Sequence, residues 1–276
     1  MQTPASVTMP IHAAAVTIRP IHDPEELRAC QDVQRRTWGI TEDGYLIPVA
    51  TLAAASAYGG LVLGAFDGTH LVGFSFAFRG VLDGTPILYS QLTGVLPEAQ
   101  GGGAGRRIKQ WQREWARAQG LPVVAWAFDP LQAMNAHYNL VALGAIATHY
   151  HPDFYGPRED ALNPGLPTDR LLCVWPTADP LPPKPAIAET DLVPLVVSQE
   201  TESGQRRPVS GTFRGGDTLS IEIPADLPTL RQSQPALIPA WQEAVRAAFL
   251  AAFTAGYHAA TFRRSDNRAA YLLVKE

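Results

Sequence analysis

The sequence predicts a mixed α/β fold in which a mostly antiparallel sheet is flanked by helices. Two apolar runs, 61–66 and 71–78, flank the turn sequence Asp-Gly-Thr-His, and this arrangement is typical of an antiparallel hairpin. A third apolar run, 87–96, leads into a glycine-dense turn. The residues after that turn, 106–119, are good helix formers whose apolar positions recur three or four residues apart, which predicts an amphipathic helix. These apolar positions are Ile108, Trp111, Trp115 and Ala118.

The elements before the hairpin follow from local signals. Residues 16–20 predict a short strand. Asp23 can cap a helix over residues 24–37, because a proline suits the first turn and the acidic residues that follow favour the positive end of the helix dipole. Residues 41–48 predict an irregular segment, and the alanine-rich stretch 49–58 predicts a second, short helix.

The elements after the glycine turn continue the alternation of strands and helices. Residues 122–128 predict a strand, and residues 131–143 predict a helix that ends at Gly144, because glycine is favoured just past a helix. Two strands, 145–151 and 170–175, are predicted to close this part of the chain.

The C-terminal third predicts a smaller α/β segment. A proline-rich stretch, 177–191, has no helical period and predicts a linker or an extended strap. We therefore expect a flexible tail at 1–14, a domain at 15–176, this linker and a C-terminal extension at 192–276. The extension should dock on, or complete, a half-barrel that resembles a partial repeat of the same fold. Its predicted elements are strands 192–197 and 218–223, helix 239–257, and strands 259–263 and 269–274.

Composition narrows the functional class. The chain has 276 residues, 46% of them hydrophobic, and a formal net charge of -4 from 22 basic and 26 acidic residues. No block of basic charge is present, so nucleic acid is not an expected partner. No apolar run is long enough to span a membrane, and residues 1–14 lack the pattern of a secretory signal. The sequence thus predicts a cytoplasmic protein with no membrane partner.

The potential metal ligands do not form a recognised motif. Cys30 and Cys173 are too few for a disulfide framework and lack metal-ligand spacing, so we expect both to be small buried residues. His149 and His151 should face the same way on a strand. Since no third ligand lies nearby in the sequence, we expect a partly exposed or substrate-facing pair and no metal site.

The glycine-dense turn predicts a phosphate-binding site. Three consecutive glycines from Gly101 to Gly103, and then Gly105, remove the Cβ atoms that would keep a ligand away from the backbone. The turn precedes a helix, whose unpaired amides and dipole favour an anion, and Arg106 and Arg107 add positive charge. The turn is neither a Walker-type loop nor a GxGxxG motif, because no Lys-Ser/Thr pair follows it and its glycine spacing differs.

The pattern Gln100-x-x-Gly103-x-Gly105, directly after Val95-Leu96-Pro97-Glu98, resembles the GNAT acyltransferase superfamily. The order of predicted elements from residue 16 onwards is similar to that family as well. This resemblance implies that the turn binds the pyrophosphate of acetyl-CoA or another acyl-CoA and that the preceding strand binds its pantetheine arm. The implied cofactor-binding residues are Thr93, Gly94, Val95, Gln100, Gly101, Gly102, Gly103, Ala104, Gly105 and Arg106, with Asn135 and Asn139 on the later helix.

The catalytic pair is less clear from the resemblance. The family often has a tyrosine that protonates the leaving thiolate, four residues before the glycine that ends the later helix. That position here is Leu140. Tyr138, two residues earlier, is the candidate acid if the register shifts, and a packing residue otherwise. Asp129 is the candidate base, although an aspartate before a proline at a helix start is also a typical N-cap. A base acting through water would leave no sequence signal.

The expected reaction is transfer of an acetyl group, or a succinyl group, to a primary amine on a small molecule such as an amino acid. Tyr155 and either Arg170 or Arg158 belong to a loop that could bind the carboxylate of this acceptor, or that could simply be solvated. Two alternatives remain: a coenzyme A-binding sensor or interaction module without catalysis, or a function that resides in the C-terminal region. The apolar helix around Trp241 could pack internally or form a homodimer.

Overall fold

The structure is a computed structural model of the chain. The chain folds into two compact units, residues 1–124 and residues 125–276. The predicted tail, 1–14, lies outside the described residues. The residues that the structure describes are 16–156, 166–185, 187, 192–202, 204 and 206–275.

The first unit contains an antiparallel sheet with the strand order β1-β2-β3-β4. The predicted hairpin is confirmed, because β2 and β3 pair in antiparallel fashion from Leu61↔Ala77 to Asp67↔His70. The strands are β1 (Thr17–Pro20), β2 (Leu61–Asp67), β3 (His70–Leu82) and β4 (Thr85–Val95). The helices are α1 (Pro24–Trp38), α2 (Val49–Ala57) and α3 (Ala104–Ala118).

Helix α1 begins and ends where the sequence predicts. The Asp23 carboxylate accepts hydrogen bonds from the amides of Glu25 (2.9 Å) and Glu26 (3.1 Å), and Gly39 ends the helix in the left-handed conformation at φ 63°. The inner face of α1 packs on the sheet, which buries the main core of this unit. Members of this core are Ile21, Leu27, Cys30, Val33, Leu52, Val62, Phe66, Phe74, Phe76 and Leu96.

The second unit contains strands in the order β5-β7-β6-β11-β12-β10-β8-β9, and all pairings described for it are antiparallel except the parallel pair β8–β10. No helix in the described ranges is both long and apolar enough to cross a membrane. The strands are β5 (Val123–Phe128), β6 (Ile146–His151), β7 (Arg170–Pro176), β8 (Leu192–Glu200), β9 (Arg206–Ser210), β10 (Thr218–Ile223), β11 (Tyr257–Arg264) and β12 (Ala269–Lys275). The helices are α4 (Ala133–His137), α5 (Leu227–Ser233) and α6 (Ile238–Thr254).

The predicted fold class is confirmed, since both units combine helices with a mostly antiparallel sheet. One helix prediction is wrong in part: instead of one α-helix over 131–143, α4 is short and continues as a π-helix over Tyr138–Ala142. The sequence analysis also missed strand β9 and helix α5. The helix starts after Asp226, whose carboxylate accepts a hydrogen bond from the amide of Thr229 at 3.0 Å.

The C-terminal segment extends the sheet of the second unit, because β11 pairs with β6 at Ala259↔Ala147. The described part of the proline-rich stretch packs on this unit as a strap. The Lys184 ammonium donates to the carbonyl of Leu140, and Arg263 donates to the carbonyl of Ile187 at 2.8 Å. The two compact units are defined by contacts and not by function, so the predicted domain boundaries stay a prediction.

Helix α6 is tied to the rest of its unit by a buried carboxylate. Asp169, which is 2% exposed, accepts hydrogen bonds from the Tyr150 hydroxyl (2.7 Å), the amide of Asp153 (3.0 Å) and two nitrogens of Arg246 (2.8 and 2.7 Å). Burial and the neighbouring Asp169 carboxylate raise the pKa of Tyr150, so this phenol stays a donor. Phe249 of the same helix stacks on Tyr150, with ring centroids 5.6 Å apart.

We expect Arg246→Met to lower the free energy of unfolding by about 2–3 kcal/mol, because it leaves a buried carboxylate without its counter-ion while two neutral donors remain. Urea unfolding at pH 7 measures the change. Arg246→Lys keeps the charge and should cost less. A loss below about 0.5 kcal/mol for Arg246→Met would show that the pair contributes little.

Candidate phosphate-binding site

The N-terminus of α3 is not capped by a side chain. Gly103 occupies the N-cap position, and no side-chain hydrogen bond is made there. The first helical hydrogen bond within this turn runs from the amide of Arg107 to the carbonyl of Gly103 at 3.1 Å. The amides of residues 103–106 come before it and therefore have no acceptor within the helix. They can donate to an anion in front of the helix, where the helix dipole is positive.

The glycines of the turn are required by the backbone and leave room for a ligand. Gly101 and Gly103 have φ values of 79° and 80°, a conformation that strains other residues. A Cβ atom added to either glycine would meet no atom within 4 Å. A phosphate group could therefore approach this backbone closely, and any side chain at these positions would occupy that space.

The turn is held against the end of β4. The side-chain amide of Gln100 donates to the carbonyl of Val95 at 2.9 Å. The amide of Leu96 donates to the carbonyl of Val72 in β3 at 2.9 Å, and successive residues of a strand point their backbone groups to opposite sides. The amide of Val95 thus lies on the side away from β3, where a ligand leaving the turn along β4 would meet it, whereas its carbonyl accepts from Gln100.

The charges around the turn favour an anion. Arg106 is exposed on the first turn of α3. The nearby carboxylate of Glu98 forms a salt bridge with Arg36 at 2.5 Å, which neutralises its charge. Since the amides, the open space and the guanidinium combine here, the residues present fit a phosphate or pyrophosphate group.

Gly94 on β4 lies against the end of α1, a contact that the sequence did not reveal. A Cβ atom at Gly94 would stand 3.0 Å from Cη2 of Trp38 and 3.3 Å from Cγ2 of Thr37, so no larger residue fits without movement. The hydroxyl oxygens of Thr37 and Thr93 are buried and have no hydrogen-bond partner among the described residues. The strand therefore needs a glycine at 94 for packing, independently of any ligand.

Asp129 lies in the second unit and caps a turn. Its carboxylate accepts a hydrogen bond from the amide of Leu131 at 2.9 Å and lies 3.9 Å from a guanidinium nitrogen of Arg231. The N-cap residue of α4 is Gln132, so the predicted N-cap role of Asp129 is wrong in position by three residues. Burial raises the pKa of Asp129 above its ordinary value despite these favourable contacts.

The other predicted residues of α4 and the π-helix have different environments. Asn135 is exposed, whereas Asn139 is 4% exposed, so the two do not present one open face as their spacing predicted. The π-helix changes the angle between them. The hydroxyl of Tyr138 is buried, and Leu140, at the position where the resemblance implies a tyrosine, is fully buried. The predicted roles of these residues stay predictions.

Tyr155 and Arg170 lie together. The guanidinium of Arg170 stands 5.1 Å from the centre of the Tyr155 ring, and one of its nitrogens donates to the carbonyl of Asp169 at 2.8 Å. The alternative partner, Arg158, lies outside the described residues. This pair could present a positive charge and an aromatic face to a small molecule.

The two histidines of β6 face the same way, as predicted. The rings of His149 and His151 stack at 6.3 Å with an interplanar angle of 12°. Burial and the neighbouring His149 lower the pKa of His151, which favours its neutral form. No group of three or more His, Cys, Asp or Glu residues in the described parts of the chain could hold a metal ion.

No protein-family profile matches the chain, and no curated protein matches its sequence. Solved structures resemble its backbone. The ribosomal-protein-S18-alanine N-acetyltransferase from Escherichia coli is 15% identical over 60% of this chain and 98% of that chain, with a TM-score of 0.46. The yncA protein from Salmonella typhimurium with acetyl-CoA is 20% identical over 62% of this chain and 99% of that chain, with a TM-score of 0.47. NAA60 from Arabidopsis thaliana with a bisubstrate analogue is 15% identical over 58% of this chain and 97% of that chain, with a TM-score of 0.47. Because these TM-scores are below 0.5, the function proposed for this chain is argued from its own residues.

We expect Asp129→Asn to raise the free energy of unfolding at pH 7, because it removes a charged form that burial disfavours. The pKa of Asp129 is higher in the folded state than in the unfolded state, so the folded state binds the proton more readily. As pH rises from the unfolded pKa to the folded pKa, the Asp129 carboxyl therefore destabilises the fold increasingly. Asparagine can still accept from Leu131 and carries no charge. Urea unfolding from pH 4 to pH 8 measures the difference, which should shrink at low pH.

Asp226→Asn is the matched control of opposite sign. Hydrogen bonds from Thr229 lower the pKa of Asp226, so its charged form stabilises the fold above the unfolded pKa and this contribution is lost as pH falls. This variant should lose stability at pH 7. If both variants change stability in the same direction, the raised pKa of Asp129 is contradicted.

Proposed function

We propose that this chain is an acyl-CoA-dependent N-acyltransferase of the GNAT type. The observation that carries the proposal is the uncapped N-terminus of α3, where residues 103–106 offer unpaired amides beside left-handed glycines and open space. This arrangement directly follows strand β4 and carries the Gln100-x-x-Gly103-x-Gly105 pattern. A pyrophosphate is the ligand that such a turn suits best.

Coenzyme A is favoured over other phosphate ligands by the order of the elements. A nucleotide triphosphate loop would need a Lys-Ser/Thr pair after the glycines, and a dinucleotide fold would need GxGxxG spacing in a parallel βαβ unit. Here the strand before the turn belongs to an antiparallel sheet. With the pyrophosphate at the turn, the Val95 amide, on the side of β4 away from β3, would donate to the extended pantetheine arm or to the acyl carbonyl, in line with the predicted role of Thr93 to Val95.

The reaction that we propose is direct transfer of an acetyl group to a primary amine. The amine nitrogen forms a bond to the thioester carbonyl carbon, the carbon–sulfur bond breaks, one proton leaves the nitrogen and the thiolate takes up a proton. The amide of Val95 would donate to the carbonyl oxygen as negative charge develops there. Positioning and proton transfer supply the remaining rate enhancement.

For the proton transfers we propose Asp129 as the base and Tyr138 as the acid. The raised pKa of Asp129 brings this carboxylate closer to the range in which a general base is effective. Tyr138 is the tyrosine on the segment after β5, although its hydroxyl is buried. Arg170 and Tyr155 would bind the carboxylate of a small amine such as an amino acid, and a succinyl donor would extend the same chemistry.

A coenzyme A sensor or interaction module without turnover is the second candidate. The buried Leu140 at the expected tyrosine position and the buried hydroxyl of Tyr138 favour it. Both candidates require coenzyme A binding, and only the first requires an acceptor.

Gly103→Glu is expected to weaken the binding of desulfo-CoA at least 30-fold, because the new side chain fills the open space and brings a negative charge to the pyrophosphate site. Isothermal titration calorimetry of the wild type and the variant measures it. Gly68→Glu is the matched control. Gly68 has a positive φ of 57° in the β2–β3 turn and open space around a new Cβ atom, so it carries a similar backbone penalty away from the site.

The wild type should bind desulfo-CoA and the Gly68→Glu variant should bind it equally well. A folded wild type that does not bind would contradict the proposal. Equal weakening by both glutamates would show that backbone strain, and not the turn, determines the affinity.

Asp129→Asn and Tyr138→Phe are each expected to lower kcat about 10²-fold or more while the affinity for desulfo-CoA changes less than about 3-fold. An amine panel with acetyl-CoA and detection of the released thiol measures this. If neither variant changes kcat, the assigned acid and base are wrong. If the wild type binds desulfo-CoA but acylates no amine, the sensor is favoured.

A further inference from the structure

The buried face of α3 carries two polar side chains where apolar residues would pack well. Lys109 is 6% exposed and Gln112 is fully buried. They are three residues apart on the helix and therefore point to the same side, towards the sheet of the first unit. Lysine and glutamine are rarely buried, so each of them requires a polar partner.

Each of these side chains donates to a serine on the sheet. The Lys109 ammonium donates to the Ser90 hydroxyl at 2.9 Å, and the Gln112 amide donates to the Ser75 hydroxyl at 3.1 Å. Ser90 on β4 is 3% exposed and Ser75 on β3 is fully buried. The four residues form a polar seam between α3 and two neighbouring strands, and the strand pairing fixes the positions of the two serines relative to each other.

This polar seam is a poor way to gain stability. Replacing buried polar pairs with apolar residues of similar volume is often neutral or stabilising. In addition, Oε1 of Gln112 is buried and has no hydrogen-bond partner among the described residues. The effect that we infer for the polar seam is on register, because two hydrogen bonds at separate points on the helix favour one position of α3 on the sheet.

The register of α3 determines where its N-terminus lies relative to β4. Ser75 is paired with Thr93 on β4, so Gln112 is tied to the same part of the sheet that carries the outward amide of Val95. A shift of α3 along its axis would move the amides of residues 103–106 away from the end of β4. The site has two halves, the amides at the start of α3 and the backbone at the end of β4, and this shift would leave each half intact.

We propose that Lys109 and Gln112 are positioning residues that hold the α3 amides and the β4 backbone at the separation that a single coenzyme A molecule spans. The inference rests on the proposed function. It predicts that the polar seam matters for a ligand that occupies both halves and not for a ligand that occupies one half, because the linkage between the halves supplies the effective concentration.

The test uses the paired variant Gln112→Met/Ser75→Ala, which removes a neutral donor and its acceptor together, in the full-length chain. Calorimetry measures the affinity for desulfo-CoA, which spans both halves, for ADP, which carries the adenosine and the pyrophosphate without the arm, and for pantetheine, which carries the arm without the pyrophosphate. The affinities for ADP and pantetheine should stay within about 2-fold of the wild type. Desulfo-CoA should bind about 10-fold more weakly, and urea unfolding should show unchanged or higher stability.

A second pair, Lys109→Met/Ser90→Ala, tests the other hydrogen bond. This pair also removes the positive charge of Lys109. The change in its affinity for ADP measures the electrostatic effect of that loss, which is subtracted from the change in affinity for desulfo-CoA. Gln112→Met/Ser75→Thr keeps the hydroxyl on the sheet without the donor on the helix, and it should weaken the binding of desulfo-CoA as well. Ser75→Thr alone keeps both groups and should retain the wild-type affinity.

Three outcomes overturn the inference. If desulfo-CoA, ADP and pantetheine all weaken together, the polar seam is merely structural. If a folded paired variant binds all three like the wild type, the register of α3 does not depend on it. If the wild type itself does not bind desulfo-CoA, the proposed function fails and this inference fails with it. Should the first pair not fold, the same comparison with the second pair decides between these outcomes.

Discussion

The uncapped N-terminus of α3 is the constraint on which the first unit depends. Glycine at an N-cap costs only a few tenths of a kcal/mol relative to a side-chain cap, so α3 begins at Gly103 at little cost. The amides that a side chain would satisfy remain available, and the left-handed glycines keep the space in front of them open. An anion can therefore take the place of a cap in front of this helix.

The surrounding contacts compensate for what this turn lacks. Gln100 ties the turn to Val95, Glu98 pairs with Arg36 of α1, and Gly94 accommodates the ring of Trp38. Two of these contacts join β4 and the turn to α1, and the third joins the turn to the end of β4, so the strand end is held from two sides. A rigid support of this kind is needed where hydrogen-bond donors must be aligned before a ligand arrives.

Local signals explain which features could be predicted from the sequence. The cap at Asp23, the hairpin around Gly68 and the glycine turn each depend on a few neighbouring residues, and all are found where the sequence indicated. The π-helix after α4 could not be predicted, because it shares its residue types with an α-helix and follows from packing. The polar seam was missed because the sequence predicted the buried face of α3 from its apolar residues. That prediction is right for Ile108 and wrong for Ala118, which is exposed, whereas Lys109 and Gln112 are buried.

Two carboxylates of the second unit have different sets of donors. Asp169 accepts from a phenol, an amide and a guanidinium. Asp129 accepts from the amide of Leu131, and a guanidinium nitrogen of Arg231 stands at 3.9 Å, beyond hydrogen-bonding distance. Burial therefore outweighs its stabilising contacts and raises its pKa. A carboxylate whose pKa is raised is a better proton acceptor near neutral pH, and this is the physical reason for proposing Asp129 as the base.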